Sequence, residues 1–164
     1  KGIAPGTART LLTLVFAAGL PAFLLTGRLA DRVPNVPLLL AVIGGFVATV
    51  YGLTLATGLL AVAAVSVLLG YVVHSLFPVV DTYLLASLPD RHRASAYTAY
   101  SASMMVVQAQ GSLAVGSLVG GGLAYDTVFA WFAGGLLVVL VGLVGLHVTG
   151  RIPAGRVPGT PAGE

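Results

Sequence analysis

From Val33 to Val80 the chain reads VPNVPLLLAVIGGFVATVYGLTLATGLLAVAAVSVLLGYVVHSLFPVV, 48 residues without one Asp, Glu, Lys or Arg. A membrane helix needs about 20 apolar residues to cross about 30 Å of hydrocarbon, so this stretch is too long for a single span. It divides at Ala56-Thr57-Gly58 and holds two. Three other charge-free runs flank it, Thr10 to Gly27, Ala94 to Tyr125 and Thr127 to Gly150. Together they predict five spans, at 9–28, 37–56, 59–80, 96–121 and 128–148. Only helices and closed barrels cross lipid, because every backbone polar group must be satisfied internally. Barrel strands would show segments of about ten residues with alternating polarity, whereas these runs are continuously apolar. The expected fold class is therefore an all-α membrane protein with five transmembrane helices. Pro21 lies inside the first span and is expected to kink it or break its hydrogen-bond ladder.

Composition supports the same class. Of 164 residues, 8% are charged and 57% are apolar, with 22 Gly besides. An ordinary soluble domain carries roughly 25% charged residues. So few charges cannot wet the surface of a soluble enzyme. A net charge of +3, scattered along the chain, forms no patch for nucleic acid. The partner implied is the lipid bilayer, and nucleic acid is excluded. There is no Cys, so thiolate metal sites, Cys nucleophiles and disulfides are excluded as well.

Basic residues near the span ends orient the chain. Arg28 and Arg32 follow the first span, Arg91 and Arg93 follow the third, and Arg151 and Arg156 follow the fifth. Those three places share one side, which the other side opposes with Lys1 and Arg9 alone. The C-terminus is expected to be cytoplasmic, in the cell membrane. The domain organisation expected is a transmembrane bundle over 1–150 and a disordered, Pro- and Gly-rich cytoplasmic tail over 151–164. The first segment is not read as a signal peptide, because Gly27 to Arg32 offers no cleavage site of small residues. An odd number of spans, a start without Met and an external N-terminus favour a fragment over a complete small protein.

The loop between the first two spans, Gly27-Arg28-Leu29-Ala30-Asp31-Arg32, resembles the G-x-L-A-D-R loop of the major facilitator superfamily of secondary transporters. Leu88 to Ala96, with Pro89, Arg93 and Ala96, resembles that family's P-x-x-x-R-x-x-A turn before its fifth or eleventh helix. Gly116 to Asp126, a Gly-rich helix end followed by a lone Asp before a Trp- and Phe-bearing helix, is similar too. The order and sidedness of the three features resemble helices eight to twelve. The sequence departs from the family pattern at Val33-Pro34-Asn35-Val36-Pro37, where more Gly and basic residues usually follow. That departure favours the weaker second copy of the loop. The resemblance implies most of one six-helix bundle, with a missing N-terminal helical half of the same transporter as partner. It implies transport by alternating access, in which Gly27, Arg28, Asp31 and Arg32 form a conformational gating loop. The alternative for that loop is plain topology, two Arg residues holding it in the cytoplasm.

Polar residues inside spans are costly in lipid and so are functional candidates. Tyr71, His74, Pro78 and Asp81 step by three, four and three, which places them on one helical face. His74 lies about 22 Å along its helix from the external end, at 1.5 Å per residue. Pro78 frees the His74 carbonyl and bends the helix there. His74 and Asp81 on one bent stripe could relay protons or bind a polar solute. Alternatively His74 bonds a neighbouring helix and Asp81 is interfacial. In the fourth span Gln108 shares a face with Met104, Ser101 and Tyr97, while Gln110 points about 200° away. Gln108 reads equally as an orienting group in a cavity and as an interhelical bond. The solute or ion pathway is thus expected at Tyr71, His74, Asp81 and Gln108. The acid-poor interior leans toward an uncharged, apolar or anionic solute. Small residues four apart, with Gly44 and Gly52 in one stripe and Gly116 and Gly120 in another, are expected to pack helices closely.

Enzyme motifs are missing, with no H-E-x-x-H, G-x-S-x-G or P-loop. No cofactor and no metal are expected. The function expected is secondary or facilitative transport of a small-molecule solute, with or without a coupled proton. The alternative is a small five-span membrane scaffold or subunit without transport activity.

Overall fold

The computed structural model describes residues 4–88 and 90–152. All but its first two residues, the expected tail lies outside the described residues. The described chain is helical and contains no strand. Five helical segments are long and apolar enough to cross a membrane.

The first span, Pro5–Ala30, is built from two helices, α1 (Pro5–Ala17) and α2 (Gly19–Ala30). Pro5 opens α1 at a position where no backbone donor is needed. The break falls at Ala18, one turn before Pro21. Pro21 has no N–H to give to the carbonyl four residues back, at Ala17, so the ladder loosens there rather than at the proline itself. Pro21 then sits in the first turn of α2, where its missing donor costs little.

α3 (Asn35–Leu55) returns across the membrane and ends before Gly58, which takes φ 78°, a conformation other side chains resist. α4 (Leu59–Ser87) follows, continuous through Pro78. At 1.5 Å per residue it is about 43 Å long, well beyond the hydrocarbon thickness. It runs seven residues past the expected end, because a helix does not stop at its first charged residue. A 3₁₀ turn (Asp90–His92) leads into α5 (Arg93–Gly120). Gly122, at φ 97°, closes α5. Its N–H bonds Val119 O, and that of Leu123 bonds Leu118 O, the Schellman pattern that satisfies the last carbonyls of a helix in lipid. α6 (Tyr125–Val148) ends the same way at Gly150, with Arg151 N–H on Leu146 O.

α4 is the organising helix, packed by α1, α2 and α3. Its contacts with the first span climb in step. Gly70 meets Val15, His74 meets Gly19, Phe77 meets Phe23. The two spans therefore run parallel. α3 lies antiparallel to α4, with Gly45 against Val72 and Gly52 against Val65. α6 covers the other side of α3, where Gly44 faces Leu140. A small core of Ala30, Leu38 and Val79 forms where α2 ends and α3 begins, extended by Val33, Leu39 and Val42. α5 stands apart, touching α4 and α6 lightly and burying none of its residues. Leu60, Val138 and Val148 are among the outward side chains, an arrangement suited to lipid rather than water.

Candidate solute pathway

The polar stripe on α4 does not face one space. Its residues divide between three surroundings, and each is set by a different neighbour.

His74 is half-buried against the break between α1 and α2. Its Nδ1 lies 2.6 Å from Gly70 O. A carbonyl only accepts, so Nδ1 carries the proton and the neutral ring keeps Nε2 as its acceptor. Phe16 and Phe23, one on each side of the break, meet the imidazole edge-on with centroids at 5.9 and 6.0 Å. Phe77 stacks on Phe23 at 5.9 Å. The ring fits because residue 19 is glycine. A Cβ there would lie 2.7 Å from the imidazole Cγ and Cδ2. One turn back, Gly70 lets the backbones of α1 and α4 touch, since a Cβ at that position would lie 2.7 Å from Val15 Cα. Gly19, Gly70, Phe16 and Phe23 were not among the residues singled out in the sequence, and only their tertiary neighbours reveal them.

Tyr71 turns toward α2 and α3. With Thr26 and Ser75 it borders a cavity of about 210 Å³. Thr26 Oγ1 and Ser75 Oγ are buried and 2.8 Å apart, and Ser75 Oγ also donates to Tyr71 O at 2.8 Å. Ser75 has one hydrogen, so Thr26 donates to Ser75 Oγ. This pair is the interhelical polar bond that ties α2 to α4. The sequence signal for it was a hydroxyl in the charge-free part of each span, which is too common to single out.

Asp81, one turn beyond Pro78, is half-buried and faces α5. Its carboxylate acts electrostatically on the Tyr100 hydroxyl, and so does Tyr97. The Tyr97 and Tyr100 rings sit 6.3 Å apart, tilted by 47°. From Tyr100 an open groove of about 430 Å³ runs along α5 past Met104 to Gln108. Asp81 and Gln108, both expected in a pathway, thus mark the two ends of one face, while His74 lies on the other side of α4.

The gating-loop residues sit where α2 gives way to α3. Gly27 is half-buried, and Arg28, Asp31 and Arg32 are exposed. Asp31 caps the C-terminal end of α2, its N–H on Gly27 O at 3.2 Å. Of the packing glycines, Gly44 and Gly52 face Leu140 and Val65 at ordinary contact distance. A Cβ at Gly116 or Gly120 would meet nothing within 4 Å among the described residues. The expected packing of that stripe finds no neighbour there, because α6 touches α5 only lightly and no other described helix lies along it. Nor do the described residues gather three or more His, Asp or Glu into a group that could hold a metal.

No curated protein matches the chain at a significant level. The Major Facilitator Superfamily profile, by contrast, matches residues 1–163. That match covers five membrane-length helices, a broken first span and a polar, proline-bent α4, so the chain belongs to the major facilitator superfamily of transporters.

Proposed function

We propose that this chain is the C-terminal portion, helices eight to twelve, of a transporter that moves a small solute across the plasma membrane by alternating access. Its C-terminus is cytoplasmic, on the side where six of the eight basic residues gather. The other helical half of the transporter completes the pathway against α5. The observation that carries this reading is α4. It is a bent helix with His74 seated at the break of one neighbouring span and Asp81 presented to another. Polar side chains at membrane depth are retained where they line a cavity or move with a conformational change.

In this reading His74 couples the α1–α2 break to the movement of α4, and Asp81 and Gln108 bound the solute face. Gly27, Arg28, Asp31 and Arg32 make and release contacts as the loop changes side exposure. Such contacts at a helix end are worth about 0.3–1 kcal/mol each, small enough to exchange during a cycle. Among the described residues nothing favours the alternative of a five-span scaffold, and the family match leaves it without support.

The test is solute flux in vesicles holding the complete transporter. His74→Ala and Asp81→Asn are each expected to lower flux or shift its pH dependence while the protein still inserts. If both variants transport like the parent at every pH, the pathway assignment is wrong.

A further inference from the structure

The α5 face that meets Asp81 carries more chemistry than a pathway wall. We propose that Asp81, Tyr97 and Tyr100 form a binding site for the cationic head of an amphipathic organic cation, whose apolar body lies along Met104 and Val107 toward Gln108. This rests on the transporter reading above and names the solute class for the same face.

Three observations converge. The first is charge. Asp81 is the carboxylate that α4 presents at membrane depth, and it acts on the Tyr100 hydroxyl across the α4–α5 seam. Along α5 no charged residue follows Arg93, whose Nη2 turns back toward Leu88 O in the connecting turn. A negative group at membrane depth calls for a positive partner, and α5 supplies none beyond its first residue. The second is the pair of rings. Tyr97 and Tyr100, 6.3 Å apart and tilted by 47°, leave a concave aromatic corner beside the carboxylate. Aromatic faces attract ammonium and other soft cations, most strongly where water is thin. Third comes the groove. It continues for about 430 Å³ from Tyr100 past Met104 and Val107, and ends in one amide, Gln108. An apolar trough with a carboxylate at one end and an amide at the other suits an elongated cation with a polar tail. It does not suit an anion, which the Asp81 charge would repel. The lean toward anionic or neutral solutes rested on the scarcity of acids, and it overlooks where this single acid is placed.

Cation recognition by a carboxylate plus aromatic rings makes separable demands on each residue. Loss of the Asp81 charge should weaken binding about tenfold or more, the scale of a hydrogen bond to a charged group. Loss of a ring should weaken it about threefold to fivefold. Removing only the Tyr100 hydroxyl should change little.

The probe is ethidium, a planar organic cation, with fluorescein as its anionic counterpart. Both are titrated against the complete transporter in detergent and read by fluorescence. Saturable ethidium binding is expected, weakened about tenfold or more by Asp81→Asn and by about threefold to fivefold by Tyr100→Leu. Tyr100→Phe and Asp81→Glu should hold near the parent value, as should Gln110→Ala, on another face. Fluorescein should not saturate. If Asp81→Asn does not fold, the contrast between Tyr100→Leu and Tyr100→Phe reads the same site. Ethidium binding that never saturates, or that ignores both Asp81 and the Tyr100 ring, overturns the proposal. Vesicle flux separates the two readings. If neutral or anionic solutes move while ethidium binding ignores Asp81, the cation site falls and the transporter reading stands. If ethidium binding depends on Asp81 but no solute crosses, the site stands and the transport reading falls.

Discussion

Replacing Gly70 by Ala tests the contact that sets the distance between the first span and α4. The added methyl carbon would press on Val15 O and lie 2.7 Å from Val15 Cα and 2.9 Å from its carbonyl carbon. These are backbone atoms, so no rotamer change relieves the overlap. α1 has to move by roughly an ångström along its whole contact with α4. Overpacking of this kind costs about 1–3 kcal/mol. Against it stands the gain of about 1 kcal/mol that Ala brings over Gly in a helix. The net loss is expected at about 1–2 kcal/mol, or roughly 2–8 °C in Tm if about 2–4 °C accompany each kcal/mol. The His74 ring hangs from Gly70 O, so the shift should reach the α1–α2 break as well. Gly116→Ala is the matched control, since nothing lies within 4 Å of its new methyl. It should leave Tm unchanged or raise it. The assay is thermal unfolding of the complete transporter in detergent, read by the loss of monodisperse protein. Equal Tm values for Gly70→Ala and Gly116→Ala would refute the close-approach reading of Gly70.

Gly19→Ala places a methyl 2.7 Å from the His74 ring, which Gly70 O, Phe16 and Phe23 hold in place. It should lower stability less than Gly70→Ala while altering transport or its pH profile more, because a side chain can yield where a backbone cannot. Thr26→Val and Ser75→Ala should each destabilise, with a coupling of about 0.6–1.7 kcal/mol in a double-mutant cycle, the range for interhelical polar bonds in membranes. Val79→Ala removes two methyl groups from a residue 1% exposed. It should cost about 1.5 kcal/mol or more from lost burial and the cavity left behind, visible as a lower Tm. Pro21→Ala restores a donor for Ala17 O and should straighten the first span, measured as a longer distance between spin labels at the exposed Leu12 and Leu24.

The number of spans and their order were legible because lipid leaves a blunt record, long runs from which charge is excluded. The ends were less so. The first span begins at Pro5 rather than residue 9, and α4 continues to Ser87 past Asp81. Charge marks where hydrocarbon ends, and helices continue beyond that point. The proline signal was correct in kind but displaced by one turn, since the carbonyl that loses its donor lies four residues earlier. The site was legible only in part. Helical periodicity put Tyr71, His74 and Asp81 on one stripe, but a stripe spans enough arc to touch several neighbours. It needed the packing to send Tyr71 toward α3, His74 to the first span and Asp81 to α5. Gly19 and Gly70 were hidden among 22 glycines. Which glycine meets another backbone is a property of the assembled bundle, and no local pattern encodes it.

The parallel seating of the first span on α4 has a consequence for how the protein is made. Two parallel helices cannot pair as a hairpin, so α3 must be threaded back through the bilayer before α4 exists to receive α2. During synthesis Thr26 waits in lipid without Ser75, and its hydroxyl has only its own helix to bond. The groove at Gly19 stays empty until His74 arrives two spans later. The polar and glycine positions of the first span are therefore provisional until α4 leaves the translocation machinery. Docking of His74 then becomes a late, order-dependent event in biogenesis, which a chaperone or quality-control protease could sense as exposed small and polar residues at mid-membrane.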